Sequence, residues 1–285
     1  MTSQPNPVFK GRKLLIVTKH KKEKVLQPLL ENNLGVLCST TEHFDTDVFG
    51  TFSGEVERTD DPLNTVIAKC KSAMDKEGFD LAIASEGSFG PHPSLFFISA
   101  DDELLVLIDS KNSLQIVVRE ISMSTNFSGS YITSIDALYS FAKKVLFPSH
   151  ALIIRPTKDS KDNCIKGITA WHELLNFFED YQRKFGTVFV ETDMRALYNP
   201  TRMNVIQEAA KKLIQKIAST CPVCTAPGFD VVKANTGLPC SVCGQPTNSI
   251  YSYTFLCEKC GHRKETFFPH HIQKADPATC NHCNP

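Results

Sequence analysis

Residues 60–93, DDPLNTVIAKCKSAMDKEGFDLAIASEGSFGPHP, carry a helix, a buried strand and an acidic, glycine-punctuated turn in succession. Asp60 or Asp61 supplies a helix N-cap, and Pro62 stands in the first turn, where a missing N–H costs nothing. Leu63, Val66, Ile67, Cys70, Ala73 and Met74 then recur at helical spacing over Pro62–Glu77, and Gly78 stops the helix. Residues 80–85 read as a buried strand that runs straight into a loop at 85–93. Its glycines permit close backbone approach and its prolines stiffen it.

The same alternation extends outward. Residues 13–18 form a β-branched run fit for a buried strand, and residues 23–32 place Val25, Leu26, Leu29 and Leu30 at helical spacing. Pro28 weakens that helix or marks its first turn. A second strand is expected at 36–38, and residues 44–58 are acidic and glycine-punctuated. Downstream, strands at 103–109 and 114–120 flank a hairpin turn at 110–113. Helices follow at 135–145, within 167–184 (Trp171, Leu174, Leu175 and Phe178 inward) and at 203–218, with strands at 151–154 and 187–190. Strands alternating with helices, plus a hairpin, predict an α/β fold with a mixed sheet flanked by helices. The expected α/β domain spans residues 10–218, with a sub-boundary near 156–168.

Residues 219–285 read differently. Four Cys-x-x-Cys pairs occur there: Cys221/Cys224, Cys240/Cys243, Cys257/Cys260 and Cys280/Cys283. Each such turn aims two thiolates at one point, so two turns supply the four soft ligands of a closed tetrahedral Zn²⁺ site. Eight cysteines make two sites, and the segment has little other core material, so two structural Zn²⁺ would fold a zinc-ribbon module. The spacers of 15, 13 and 19 residues are compatible with sequential, nested or interleaved pairing of the knuckles. His262, His270, His271 and His282 are left as surface or supporting groups, because eight thiolates already fill two tetrahedra.

The 285 residues carry 31 Lys+Arg against 31 Asp+Glu, so no global field recruits nucleic acid or an anionic membrane. With zinc and thiolates counted, residues 219–285 are net negative, and strong nucleic-acid binding is not expected from them. No apolar run approaches 18 residues and residues 1–13 lack a signal-peptide stretch, which predicts a soluble cytoplasmic protein without a membrane partner. Cys38, Cys70 and Cys164 sit singly among apolar neighbours, as reduced thiols do.

Closed four-cysteine sites leave no open position for chemistry, so a reactive centre is sought in the α/β domain. Ligands in open α/β sheets gather beyond strand ends, and the segment after residue 84 holds Ser85, Glu86, Ser88 and His92. Glu86 is placed to bind a metal or act as a general base. The turn at residues 18–22 also follows a buried strand and opens a helix, where Lys19 and His20 can meet an anion. Glu55, Glu57 and Arg58 precede the helix carrying Lys69, while Glu191, Asp193, Arg195 and Arg202 follow the last strand.

Phe49-Gly50-Thr51-Phe52-Ser53-Gly54-Glu55 with Arg58, Ala68-Lys69, residues 84–93, and the closing Cys283-Asn284-Pro285 together resemble an uncharacterised, mainly bacterial family of unknown function. More distantly, the order strand, basic turn, helix, Ala-Lys helix, strand, acidic glycine turn is similar to the inosine/xanthosine triphosphate pyrophosphatase superfamily. That likeness implies Mg²⁺-dependent cleavage of a nucleotide or other phosphorylated small molecule. Glu86 and Glu55 would be its catalytic carboxylates, and Lys19, His20, Arg58, Lys69, Ser85 and Ser88 would bind substrate. The chain departs from that pattern in its opening turn, in having Ser85-Glu86-Gly87 where paired aspartates are common, and in its zinc tail. The alternative is a non-enzymatic zinc-ribbon protein whose tail binds a protein or RNA partner.

Overall fold

The computed structural model describes residues 7–41 and 61–285. Strand β1 (Lys13–Val17), helix α1 (Glu23–Leu34) and strand β2 (Leu37–Thr40) form a β-α-β unit with the two strands parallel. Helix α2 (Pro62–Glu77) leads into β3 (Leu81–Pro91), which lies parallel to β1 on its other side. β4 (Ser99–Asp109) runs antiparallel to β3, and β5 (Leu114–Ser122) completes a mixed sheet of order β2-β1-β3-β4-β5.

Local chemistry explains the α2–β3 segment. Asp61 accepts a hydrogen bond from the Asn64 N–H (3.4 Å), Pro62 opens the helix, and Gly78 closes it in the left-handed region at φ +73°. One face of α2, Val66, Cys70, Ala73 and Met74, packs on Leu15, Val17, Ala82, Ala84, Val106 and Ile108 of the sheet. Because strand side chains alternate, the intervening Leu14, Ile16, Leu81, Ile83, Leu105 and Leu107 point to the opposite face. They are buried too. A helix therefore covers one face of the sheet and further structure the other.

The segment at 85–93 differs from the expected loop. β3 pairs continuously with β4 from Leu81↔Asp109 to Pro91↔Ser99. Gly87 and Gly90 lie inside the ladder; at Gly87 the strand glycine marks close approach by other groups, whereas a Cβ at Gly90 would meet nothing within 4 Å. The true turn is at residues 92–98, where the His92 N–H bonds the Ile98 carbonyl (2.8 Å).

A second, four-stranded sheet has the order β6-β9-β7-β8, from β6 (Gly129–Tyr131), β7 (Leu152–Arg155), β8 (Ile165–Ile168) and β9 (Phe189–Thr192), all antiparallel. Its core joins Leu152, Ile154 and Val190 with Leu138, Phe141 and Ala142 of α3 (Ile135–Lys144) and Leu174, Phe178 and Tyr181 of α4 (Trp171–Phe185). Helix α5 (Pro200–Ala218) follows. Asn199 caps it, accepting from the Arg202 N–H at 3.0 Å.

The chain divides into two compact units. One runs to Leu213 without Ser113–Ile116; the other comprises Ser113–Ile116 and Ile214–Pro285. The second unit contains a three-stranded antiparallel sheet of β10 (Asp230–Thr236), β11 (Ile250–Leu256) and β12 (Arg263–Phe267). Among the described residues no helix is long and apolar enough to cross a membrane.

Candidate functional site

β3 separates two groups of polar side chains. Even-numbered residues face α2, so Glu86 continues the line of Ala82 and Ala84 and meets Lys69 of that helix, with Lys69 Nζ donating to Glu86 Oε2 at 2.5 Å. Glu86 is 5% exposed. It is a buried, paired carboxylate and not a solvated loop group. Ser85 and Gly87 point the other way, in register with Leu105 and Glu103.

On that opposite face a second set of charges converges. Asp101 and Glu103 lie two residues apart on β4 and so project together. Glu103 Oε1 accepts from Arg202 Nε at 2.5 Å, and Arg202 also donates through Nη1 to the Met194 carbonyl (2.6 Å). The guanidinium lies 5.1 Å from the centre of the Phe89 ring. A Cβ at Gly87 would clash with Glu103 Oε1 and lie 2.5 Å from Arg202 Nη2, so a side chain there would displace that pair. Lys22, at the start of α1, reaches the same face of β3 and donates to Ser85 Oγ (2.6 Å) and the Ser85 carbonyl (3.2 Å).

The electrostatics are those of a buried cluster of charges. Burial, reinforced by the Arg202 charge, lowers Lys22 to about 7. Burial, reinforced by Glu103, raises Asp101 to about 8. Asp101 is 1% exposed, yet among the described residues neither of its carboxylate oxygens has a hydrogen-bond partner, and Glu103 Oε2 has none either. Unsatisfied buried carboxylate oxygens are rare because each costs its full desolvation.

The sequence-derived candidates separate accordingly. Glu86 and Lys69 come together; Ser85 lies across the strand from them with Lys22; Ser88, half-buried, is on the Glu86 side. Lys19 is exposed and His20 half-buried in the turn after β1, where Thr18 Oγ1 accepts from the His20 and Lys22 N–H groups (3.2 and 3.3 Å). Glu55 and Arg58 lie outside the described residues. Asp101 and Glu103 are not among the candidates read from the sequence; Arg202 and the turn ending at Lys22 are, without a substrate-binding assignment of their own. The signal for the acidic pair is Asp101 and Glu103 in phase with the buried Leu105 and Leu107; that for Arg202 is the helix start Asn199-Pro200.

In the second unit the knuckles pair in the interleaved order. Cys221, Cys224, Cys257 and Cys260 form one cluster, and Cys240, Cys243, Cys280 and Cys283 the other, each with ligand atoms within 4.8 Å of one another. The sequential and nested alternatives are thereby excluded. Sulfur separations of 3.7 Å (Cys221–Cys260), 3.6 Å (Cys224–Cys257), 3.9 Å (Cys240–Cys283) and 3.6 Å (Cys243–Cys280) test the fit to zinc. A tetrahedron with Zn–S bonds of about 2.3 Å has S···S edges of about 3.8 Å, so the thiols fit. All four knuckles share one turn: the N–H of the residue after the second cysteine (Thr225, Gly244, Gly261, Asn284) donates to the carbonyl of the first at 2.8–3.1 Å. Without metal, N–H donors of Cys243 and Val242 lower Cys240 to about 7, while thiol crowding, Cys243 first, raises Cys283 to about 12.

The chain belongs to the family described as Domain of unknown function (DUF6671), whose model matches residues 69–285. The match starts within α2 and includes β3, β4, the Arg202 helix and both cysteine clusters. No curated protein and no solved structure matches the chain.

Proposed function

We propose that the α/β unit is a divalent-cation-dependent hydrolase of phosphate esters, nucleotides among them, and that the cysteine unit carries two structural Zn²⁺. The observation that carries the enzymatic reading is the buried Asp101 carboxyl group, which with Glu103 Oε2 has no hydrogen-bond partner among the described residues. Hard oxygen donors at i and i+2 on one sheet face suit Mg²⁺, and ligation would satisfy atoms that otherwise pay full desolvation. A cation there would polarise a phosphoryl oxygen and offset charge as the ester bond breaks. Arg202 supplies a planar donor array for the remaining phosphate oxygens. Its position beside Glu103 supports this role.

Glu86 and Lys69, first considered as catalytic and phosphate-binding, have a different role in this reading. They fasten α2 to β3 from the far side of the sheet. The thiolate ligands need reduced cysteines, which supports a cytoplasmic setting.

The test is a panel of nucleoside triphosphates, nucleoside monophosphates and p-nitrophenyl phosphate, with Mg²⁺ present or omitted. Expected is Mg²⁺-dependent phosphate or pyrophosphate release, reduced about 100-fold or more in Asp101→Asn. Release independent of Mg²⁺, or an Asp101→Asn variant at full rate, would refute the reading.

A second reading, docking of a protein partner by the cysteine unit, draws support from Val223 and Val242. They lie at the tips of two knuckles and are 65% and 73% exposed. Val223→Asp combined with Val242→Asp should keep two Zn²⁺ per chain and abolish such docking.

A further inference from the structure

Lys22 and Ser85 are a pair of buried reactive groups to which the hydrolase reading gives no role. Lys22 is 7% exposed and Ser85 2%. The lysine nitrogen makes both of its hydrogen bonds to one residue, 2.6 Å to Ser85 Oγ and 3.2 Å to the Ser85 carbonyl. Among the described residues no carboxylate comes within salt-bridge distance of it, although Glu86, Glu103 and Asp109 are each matched with a cation. A lysine buried without a counter-ion favours the neutral amine, and a neutral amine is an acceptor. The 2.6 Å contact then runs from Ser85 Oγ–H to Lys22 Nζ, the geometry of a nucleophile and its base.

The backbone holds this pair in place. The Thr18 hydroxyl ties the turn by accepting from the N–H groups of His20 and Lys22. Lys21 adopts φ +57°, a left-handed conformation that a lysine rarely takes. On the other side Ser85 is fixed in the β3–β4 ladder opposite Leu105. Both partners therefore sit on rigid elements, as a reactive pair requires.

We propose that Ser85 is a nucleophile and Lys22 its general base, so that phosphoryl transfer proceeds through a covalent phosphoserine. The substrate class rests on the hydrolase reading above; the nucleophile and base do not. In the first step the Lys22 amine takes the Oγ proton as the Oγ–P bond forms and the bond from phosphorus to the leaving oxygen breaks. The resulting ammonium returns that proton to the departing alkoxide. In the second step water gives a proton to Lys22 and attacks phosphorus, the P–Oγ bond breaks, and Oγ recovers the proton. The products are an alcohol and inorganic phosphate, with no change of oxidation state.

The experiment uses the full zinc-loaded chain and a small fluorophosphonate, which reports an activated serine whatever the natural substrate. Peptide mass spectrometry should find the label on Ser85. Labelling should rise through neutral pH, where Lys22 loses its proton among Arg202, Lys69, Glu103, Glu86 and Asp101 on neighbouring strands and helices and Lys19, His20, Lys21 and Glu23 on its own segment. Ser85→Ala should abolish it. Lys22→Met, which replaces a buried amine by an apolar side chain of similar length and should fold, is expected to slow it about 100- to 10,000-fold. Lys22→Arg, permanently charged, should do the same. A wild type unlabelled at Ser85 in the folded state, or Lys22→Met labelled at the wild-type rate, would overturn the proposal. Hydrolysis assays separate the two readings. Mg²⁺-dependent phosphate release undiminished in Ser85→Ala overturns the nucleophile and leaves the hydrolase. Lysine-dependent labelling of Ser85 without hydrolysis of any ester supports the nucleophile and refutes the hydrolase.

Discussion

The two units use different means to reach a folded state. In the α/β unit, aliphatic side chains from α1, α2, β1, β3 and β4 are buried on both faces of a sheet, and helix caps close the ends. In the second unit the buried apolar side chains other than cysteines are, among the described residues, Leu114, Ile116, Ile217, Ala226, Phe229, Leu238 and Ala275. Too little surface is removed from water there to offset chain entropy, so the thiol clusters must hold that unit. In the first unit, by contrast, a core large enough to fold unaided can carry uncompensated polar groups, and Asp101 is one.

The largest expected effect tests that contrast directly. Metal analysis should give two Zn²⁺ per chain, and removing them should unfold the cysteine unit while the α/β unit keeps its amide protection in hydrogen exchange. Structural zinc contributes on the order of 10–16 kcal/mol to small modules, more than any side-chain contact here. The interleaved pairing is checked with Cys257→Ser: it should empty the site of Cys221, Cys224 and Cys260 and leave one Zn²⁺ in the other. Exchange protection lost equally in both units on chelation would break the comparison.

Next in size is the Arg202–Glu103 pair, both members fully buried. Arg202→Met leaves the Glu103 charge without its partner and should cost about 3–5 kcal/mol in denaturant unfolding of the α/β unit. The zinc content should not change. A loss under about 1 kcal/mol would show that water solvates the Glu103 carboxylate once Arg202 is gone.

How far the sequence could be read depends on the range of the interactions. Caps and periodicity are local, so α2 was legible from Pro62 to Glu77 and the hairpin from its two apolar runs. The cysteine knuckles were legible for the same reason, since each is a short local turn, and they gather into two clusters that could hold a metal. Pairing of the knuckles was not legible, because spacer length constrains loop closure only weakly. The continuation of β3 through Gly87 and Gly90 was missed because glycine marks both turns and close approaches, and only Glu103 and Arg202, distant in sequence, tell which applies at Gly87. Ser85 and Glu86 were singled out together, although a strand sends neighbours to opposite faces. Strand β6, with three residues, is too short to show periodicity, and β8, Ile165–Ile168, lacks the continuous apolar run that marks β7 and β9.

Those two faces of β3 give the next pair of expectations. Glu86→Gln strips Lys69 of its buried counter-ion and should cost about 2 kcal/mol. Asp101→Asn replaces a carboxyl group whose charged form burial disfavours and which has no hydrogen-bond partner among the described residues, so it should leave stability unchanged or raised while abolishing any Mg²⁺ response. Lys22 adds a pH signature. Its lysine value falls from 10.5 to about 7 in the folded chain. Between those values the unfolded chain binds more protons, so this group stabilises increasingly from pH 7 to 10.5, and the gain is lost as pH falls through 7. Subtracting the Lys22→Met stability profile from that of wild type should isolate this slope; a flat difference would mean that Lys22 stays charged.

The smallest effect compares backbone strain in the two units. Thr225 follows the first knuckle at φ +58°, where Gly244 and Gly261 occupy the matching places at +72° and +73°. A β-branched residue in that region pays about 1–2 kcal/mol. Glycine removes that cost but gives back roughly 0.4–1 kcal/mol through the entropy of the unfolded chain. Thr225→Gly also forfeits the bond from Thr225 Oγ1 to the Cys224 carbonyl. The net gain should be about 0.5 kcal/mol, read as a higher midpoint for loss of the cysteine unit at fixed zinc. Lys21→Gly in the α/β unit makes the same exchange at φ +57°. There the strain positions Lys22, so glycine should stabilise the fold by a similar amount yet slow fluorophosphonate labelling of Ser85, as the turn loses the bias that presents the amine. If Lys21→Gly gains stability with labelling unchanged, the turn's strain has no part in the chemistry, and its cost is as incidental as that at Thr225.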